Sequence, residues 1–147
     1  MAESTVQSIE IDASPAECFE VAAEIESYPK WASGVKRVEV LERDADGRPH
    51  RAAFLLEGFV KEIAYELVYE YDYPNRMSWR ADPSADIRML EGSYAFTERE
   101  DGVTEVVYAL SVMPAFSLPG FVRRQAEKQI VTTALRGLRR RVQERAG

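Results

Sequence analysis

The sequence predicts an α+β fold in which a curved, seven-stranded antiparallel sheet wraps around a long C-terminal helix, with two short helices after the first strand. Two Asp-Gly pairs, Asp46-Gly47 and Asp101-Gly102, separate runs of strand-forming residues and are strong β-hairpin signals. The segment from Phe121 to Arg145 has no proline and repeats apolar residues every four positions, which is typical of an amphipathic helix. Short turns therefore join most strands, and one long helix ends the fold.

The first strand is predicted over TVQSIEID, and a helix follows it directly. Ser14 and Glu17 form a Ser-x-x-Glu capping box, and Pro15 between them suits the first helical position. Pro29, in the stretch YPKW, disfavours helical backbone at Tyr28 and starts a short second helix.

Turn residues divide the middle of the chain into further strands. They are predicted over VKRVEVLERD, RAAFLLEG, EIAYELVYEYDY, MSWRAD, IRMLEGSYAFTERE and VTEVVYALSVM. Gly58 and Gly92 are interpreted as bends or bulges that let the sheet curve. The final helix must lay its apolar stripe on the sheet, because both surfaces are then buried. The stripe is Val122, Ala126, Ile130, Ala134, Leu138 and Val142, widened by Leu135.

Composition limits the function. With 147 residues and 46% hydrophobic content, we expect a single domain over residues 1–147. A net charge of −6 argues against a nucleic-acid partner. With Cys18 the only cysteine and His50 the only histidine, we expect no disulfide, no metal site and no cofactor. The start lacks a secretory signal and no apolar run reaches membrane-span length, so we expect a cytoplasmic protein.

The run EIAYELVYEYDYP alternates between tyrosines and acids. The residues predicted to face inward are Ile63, Tyr65, Leu67, Tyr69 and Tyr71, whereas Glu62, Glu66, Glu70 and Asp72 face solvent. A solid core is the simpler interpretation of aromatic residues at strand spacing. However, a buried hydroxyl needs a partner, and a ligand or water in a cavity would supply it. Tyr73 shares the inward parity, but we expect it to leave the interior at the Pro74 turn.

The order of elements, together with three segments, resembles the helix-grip fold of the START-like superfamily, also called SRPBCC. The segments are IDASPAECFEVAAEIESYPKWASGVKRVEV, GSYAFTEREDGVTEVVYALSV and LPGFVRRQ. The likeness spans nearly the whole chain and is greatest to the polyketide cyclase/dehydrase-type branch, especially its short stand-alone actinobacterial members. This resemblance implies a hydrophobic cavity between sheet and helix that holds a lipid, sterol, polyketide or quinone.

Strand alternation and this resemblance together give a predicted cavity lining. It comprises Phe54, Tyr65, Leu67, Tyr69, Trp79, Tyr94, Phe96, Tyr108, Leu110, Ala126 and Ile130. Phe116 and Leu118, in the stretch MPAFSLPG, form a portal or instead staple the start of the helix. Trp31 lies at the same portal or instead packs the short helical segment down.

The chemistry of the site stays open at this level. The tyrosines could orient or protonate a carbonyl, and Glu57 and Glu91 could reach inside, but a strong acid/base pair is missing. Cys18 is expected to be a small buried hydrophobe, and His50 a solvated residue near a strand end. A non-catalytic carrier or sensor of a hydrophobic molecule is therefore favoured. A polyketide cyclase, aromatase or dehydratase is one alternative, and a protein-interaction or toxin–antitoxin component is another; the oligomeric state is unknown.

The end of the chain is basic. Residues 119–147 hold the eight cations Arg123, Arg124, Lys128, Arg136, Arg139, Arg140, Arg141 and Arg145, opposed by Glu127 and Glu144. Cations at a helix C-terminus interact favourably with the helix dipole, which is the simpler explanation. A weak contact with anionic membrane through this helix is the alternative.

Overall fold

The computed structural model describes residues 4–32, 34–57 and 61–146, and it confirms the predicted architecture. The strands are β1 (Thr5–Ile11), β2 (Val35–Arg43), β3 (Pro49–Glu57), β4 (Glu62–Asp72), β5 (Arg76–Ala81), β6 (Ile87–Glu100) and β7 (Val103–Pro114). The helices are α1 (Pro15–Ala23), α2 (Tyr28–Trp31) and α3 (Gly120–Ala146), and a 3₁₀ turn at Ile25–Ser27 joins α1 to α2.

The strands form one antiparallel sheet in the order β1-β7-β6-β5-β4-β3-β2. Consecutive strands from β2 to β7 are neighbours, and β1 completes the sheet beside β7. Gly47 and Gly102 have φ angles of 85° and 80°, so both Asp-Gly pairs make the predicted hairpin turns. Strands β2 to β7 therefore form a meander, and β1 lies at the edge of the sheet beside β7.

Helix α1 begins at the predicted capping box. The Ser14 hydroxyl accepts a hydrogen bond from the Glu17 amide at 3.2 Å, and the Glu17 carboxylate accepts one from the Ser14 amide at 3.2 Å. Cys18 and Phe19 are fully buried against the sheet, as expected for Cys18. Beyond α1, Glu24 accepts a hydrogen bond from Arg145 at 2.9 Å, which ties the end of α1 to the end of α3.

Helix α3 packs against β1, β7 and α1, but it does so with a different face from the predicted stripe. Its buried residues include Glu127, Val131, Leu135, Leu138 and Val142, whereas Ile130 is 43% exposed. A strict four-residue repeat drifts by about 40° per step around a helix of 3.6 residues per turn. The predicted stripe therefore winds around α3, and only its C-terminal members keep the inward position.

Gly92 is not a bulge, contrary to the sequence interpretation. It pairs regularly with Trp79 on β5 and Leu110 on β7, while the irregularities of β6 lie at Ile87–Met89 and Glu98–Glu100. A Cβ atom on Gly92 would lie 2.4 Å from Nε1 of Trp79, so glycine is needed because the indole covers it. Gly58, the other predicted bend, lies outside the described residues.

Candidate ligand-binding site

The concave face of the sheet carries a continuous set of aromatic side chains. Nine of the predicted lining residues are buried there, namely Phe54, Tyr65, Leu67, Tyr69, Trp79, Tyr94, Phe96, Tyr108 and Leu110. Strand register brings them together, because Phe54 pairs with Tyr65, Tyr69 with Trp79, and Tyr94 with Tyr108. Alternation along the strands thus predicted which side chains share this face.

Trp79 lies at the centre of this set. Its ring centroid is 5.9 Å from that of Tyr69, 5.4 Å from Tyr94 and 5.6 Å from Tyr108. Tyr94 and Tyr108 meet edge to face at 4.7 Å. Such contacts hold aromatic rings in defined orientations, so the tyrosines present their hydroxyls from a rigid support.

The tyrosine hydroxyls fall into two groups. Those of Tyr28 and Tyr71 donate to the backbone carbonyls of Ala22 and Pro49. Within the described part of the chain, the remaining buried hydroxyls make no hydrogen bond to a protein group. These four hydroxyls belong to Tyr65, Tyr69, Tyr94 and Tyr108.

These four hydroxyls are not sealed by packing. Among the described residues, the polar side-chain atoms that are sealed from solvent and unpartnered are Nε1 of Trp31 and Nε of Arg141. The hydroxyls of the four tyrosines are not among these sealed, unpartnered atoms. They remain available to form hydrogen bonds.

Burial keeps these tyrosines neutral over a wider pH range than exposed tyrosines. Removal from water raises the pKa of Tyr65 and Tyr108 above the ordinary value of 10.0, and the pKa of Tyr69 and Tyr94 well above it. Repulsion from neighbouring tyrosines, Tyr108 on Tyr94 for example, raises the pKa of Tyr94 further. All four side chains are therefore neutral at physiological pH and act as hydroxyl donors and acceptors.

Phe96 joins the aromatic set to the core beneath α1. Its ring lies 5.8 Å from that of Tyr94 and 5.8 Å from that of Phe19. Tyr71 and Tyr73 lie at the same end, where the guanidinium of Arg48 is 5.2 Å from the Phe19 ring and 4.9 Å from the Tyr73 ring. Tyr73 is half exposed there, as predicted.

Trp31 packs α2 against α3. Its ring and carbonyl oxygen both lie 3.2 Å from the place where a Cβ atom on Gly137 would be, and the side chain is only 8% exposed. This contact supports the packing alternative for Trp31, and its portal role stays a prediction. Tyr28, which the sequence analysis missed, lies 5.0 Å from Trp31 and 6.3 Å from Phe54. The sequence feature that indicates Tyr28 is the pair of aromatic residues, Tyr28 and Trp31, on either side of Pro29.

The N-terminal half of α3 stands apart from this packing. Ala126 is half-buried and Ile130 is exposed. The sheet therefore encloses neither residue, whereas the sequence placed both in the cavity lining. Phe116 and Leu118 are half-buried in the connection between β7 and α3. The portal or lining role of these four residues remains a prediction.

The candidate acids and bases do not form a catalytic set. Glu57 and Glu91 are exposed, and Glu91 lies on the outer sheet face because its neighbour Gly92 faces inward. Nδ1 of His50 is 3.1 Å from the carbonyl oxygen of Tyr69. When Nδ1 carries the proton, it donates a hydrogen bond to this carbonyl. Burial raises the pKa of the Cys18 thiol to about 11, which keeps it un-ionised.

Glu127 is a buried carboxylate that the sequence analysis did not single out. It is 2% exposed and accepts hydrogen bonds from the Val112 amide at 2.8 Å and the Thr5 hydroxyl at 2.9 Å. Arg123, one turn earlier on α3, donates to it at 3.1 Å. The sequence feature that indicates Glu127 is an acid four residues after an arginine, in a part of the helix that is otherwise basic. Its role is to fasten α3 to β1 and β7.

Two depressions open on the surface, and the second also touches Trp79. One of about 470 Å³ is lined by Arg136, Arg139, Arg140, Gln143 and Glu144 of α3. The other, of about 420 Å³, opens mainly on the outer face of the sheet among Glu70, Ser78, Arg80, Glu91 and Ser93. Both are open to solvent and neither holds a set of convergent buried polar groups.

A curved antiparallel sheet that holds a long helix and presents an aromatic concave face defines the helix-grip class of the START-like superfamily. A family model described as polyketide cyclase / dehydrase and lipid transport matches residues 2–143. The chain belongs to this family. No curated protein sequence matches it significantly.

Solved structures share the fold at low sequence identity. A START superfamily protein from Mycobacterium smegmatis has a TM-score of 0.88 and 18% identity, covering 97% of this chain and 98% of its own. A protein from Thermus thermophilus has a TM-score of 0.81 and 20% identity, covering 98% and 99%. Zhui aromatase/cyclase from Streptomyces sp. R1128 has a TM-score of 0.86 and 12% identity, covering 100% and 97%.

Two further features bear on membranes and metals. Among the described residues, no helix is both long enough and apolar enough to cross a bilayer. Over the same residues, His, Cys, Asp and Glu side chains form no group of three or more that could hold a metal ion.

Proposed function

We propose that this protein binds a hydrophobic small molecule of lipid, polyketide, sterol or quinone type between the concave face of the sheet and α3, as a carrier or sensor. One observation supports this most directly. Tyr65, Tyr69, Tyr94 and Tyr108 are buried on the concave face, and among the described residues their hydroxyls have no protein partner. Leaving a buried hydroxyl unsatisfied costs about 1–3 kcal/mol, whereas phenylalanine would fill a dry core without that cost. Ligand oxygens or water would remove the penalty.

Binding is better supported than catalysis at this site. General acid–base catalysis is most effective when the pKa of the group lies near the working pH. Burial moves the pKa of the tyrosines away from that range, and the exposed carboxylates of Glu57 and Glu91 lie outside the concave face. A cyclase or dehydratase would need a proton donor and acceptor pair that these residues do not provide.

The bound molecule should be uncharged. Among the described residues, the buried side chains of the concave face from Phe54 to Leu110 carry no formal charge, and Arg123 is already paired with Glu127. Burying an anion without a counter-charge costs several kcal/mol. We expect the neutral probe N-phenyl-1-naphthylamine to bind at least roughly tenfold more tightly than its anionic counterpart 8-anilinonaphthalene-1-sulfonate, which corresponds to about 1.4 kcal/mol.

Fluorescence titration of both probes, with each used to displace the other, measures this difference. Displacement ensures that the two probes are compared at one site. Lack of binding by either probe contradicts the binding function itself. Equal or tighter binding of the sulfonate leaves the binding function standing and rules out selection against charge.

Tyr69→Phe tests the hydroxyls directly. The Tyr69 hydroxyl has no protein partner among the described residues, so its removal should leave the free energy of unfolding within about 0.5 kcal/mol of the parent. Affinity for an oxygen-containing ligand should fall about threefold to tenfold, because one hydrogen bond contributes about 0.5–1.5 kcal/mol. Denaturant unfolding and ligand titration measure the two effects.

Tyr71→Phe is the matched control, because the Tyr71 hydroxyl donates to the carbonyl of Pro49. It should lose stability and keep its affinity. If Tyr69→Phe instead loses stability with unchanged affinity, its hydroxyl serves the core and not a ligand.

A further inference from the structure

An exposed apolar and basic surface lies on the first turns of α3. Phe121 is 70% exposed, and Arg124, Gln125 and Lys128 are exposed beside it. Residues three, four and seven positions apart share one side of a helix, so these four side chains form one surface, here called the Phe121 face. An exposed aromatic side chain flanked by cations suits a partner that has both apolar and anionic parts.

Among the described residues, the Phe121 face includes no carboxylate of its own. Between Glu105 and Glu144 the only carboxylate in the sequence is Glu127, and it is buried. From the adjoining loop, Asp86 approaches the connection at Ala115, but its carboxylate is bound by Lys61 at 2.6 Å and the Ala64 amide at 3.0 Å. This surface is therefore cationic on a chain whose net charge is −6.

The other end of α3 is a weaker candidate for an external contact. There, Arg145 is paired with Glu24, and Arg139 and Arg141 are half-buried. Exposed Arg136 and Arg140 share their depression with Glu144. Over its described residues this end also presents no exposed large apolar side chain, so the structure moves the candidate surface from the basic C-terminal end to the start of the helix.

We propose that the Phe121 face docks on an anionic lipid bilayer. Interfacial helices bind bilayers by placing aromatic side chains among the acyl chains while lysine and arginine contact the anionic headgroups. The Phe121 face has both components. A nucleic acid is disfavoured because its affinity comes mainly from many phosphate contacts, and Phe121 would stay unburied. This inference rests on the surface alone and does not depend on the proposed ligand.

The location gives the contact a use. The exposed Ile130 and the half-buried Phe116 and Leu118 lie at the same end of the fold as Phe121. A bilayer held at this end would face the residues that were predicted to form the portal. Cargo could then pass between bilayer and protein with little exposure to water.

Vesicle co-sedimentation tests the proposal on the full chain. We expect the protein to bind phosphatidylcholine vesicles that contain phosphatidylglycerol and to bind pure phosphatidylcholine vesicles at least roughly tenfold more weakly. Phe121→Ser should reduce binding to the anionic vesicles, and so should the double variant Arg124→Gln/Lys128→Gln. Added salt should weaken binding, because it screens exposed charges.

Matched variants on other surfaces provide the controls. Val6→Ser removes another exposed apolar side chain, 58% exposed on β1, and Arg136→Gln/Arg140→Gln removes the same charge from the other end of α3. Both should bind like the parent protein. Equal binding to the two vesicle types, binding to neither, or an equal loss in the controls would overturn the proposal. Circular dichroism verifies that each variant is folded.

Discussion

Replacing Glu127 with alanine should lower the free energy of unfolding by about 3–5 kcal/mol, because it removes one member of a buried, hydrogen-bonded ion pair. The carboxylate joins three parts of the fold. It accepts from Thr5 on β1, from the Val112 amide on β7 and from Arg123 on α3. Without it, the Val112 amide and the Thr5 hydroxyl lose their partner in a place where water has little access.

Urea unfolding followed by circular dichroism measures this loss, and Glu144→Ala is the matched control. Glu144 is exposed on the same helix, so its removal should change stability by less than about 0.5 kcal/mol. Glu127→Gln keeps an oxygen for the Val112 amide but loses the charge opposite Arg123, and it should fall between the two. A Glu127→Ala variant as stable as the control would show that α3 is held by its apolar contacts alone.

The position of Glu127 also explains why the face of α3 could not be predicted from apolar periodicity. The pattern placed Ile130 inward because isoleucine continues a four-residue repeat. The helix instead turns Glu127 and Val131 inward, since the carboxylate has hydrogen-bond donors on β1 and β7. A buried charge with a complete set of hydrogen bonds behaves as a core residue, whereas a hydropathy scale predicts that the same residue is exposed.

The sheet was more predictable than the helix. Its side chains alternate with a strict period of two, so the acids of β4 indicated the outward face and left the tyrosines inward. Even β3, where AAFLL gives no clean alternation, follows its neighbour, because Phe54 pairs with Tyr65. The pairing register of β3 with β4 therefore assigns Phe54 to the concave face, which the local pattern of β3 does not.

The hydrogen-bond partners of the tyrosine hydroxyls could not be predicted from the sequence. Alternation groups Tyr65, Tyr69 and Tyr71 on one face, yet the Tyr71 hydroxyl reaches the Pro49 carbonyl while the other two hydroxyls have no protein partner among the described residues. That difference depends on the curvature of the sheet and on the chain that covers each end. The structure thus divides one row of tyrosines into a structural member and candidate ligand contacts.

Gly92→Ala should destabilise the protein by about 1–3 kcal/mol through overpacking, and it should disturb the candidate site at the same time. The new Cβ atom would lie 2.4, 2.5 and 2.6 Å from Nε1, Cε2 and Cζ2 of Trp79. The indole cannot yield easily, because Tyr94 and Tyr108 pack against it at 5.4 and 5.6 Å. The indole must therefore shift away from β6, against these two rings.

A double-mutant cycle isolates this contact. In a Trp79→Leu background the side chain that meets the new methyl group is gone, so Gly92→Ala should cost less than about 0.5 kcal/mol. In the parent background it should also change the near-ultraviolet circular dichroism of the indole and weaken binding of N-phenyl-1-naphthylamine. An equal cost in both backgrounds would locate the effect in the β6 backbone instead of the indole. A stable variant with unchanged probe binding would show that the indole accommodates the new methyl group, which would contradict the overpacking prediction.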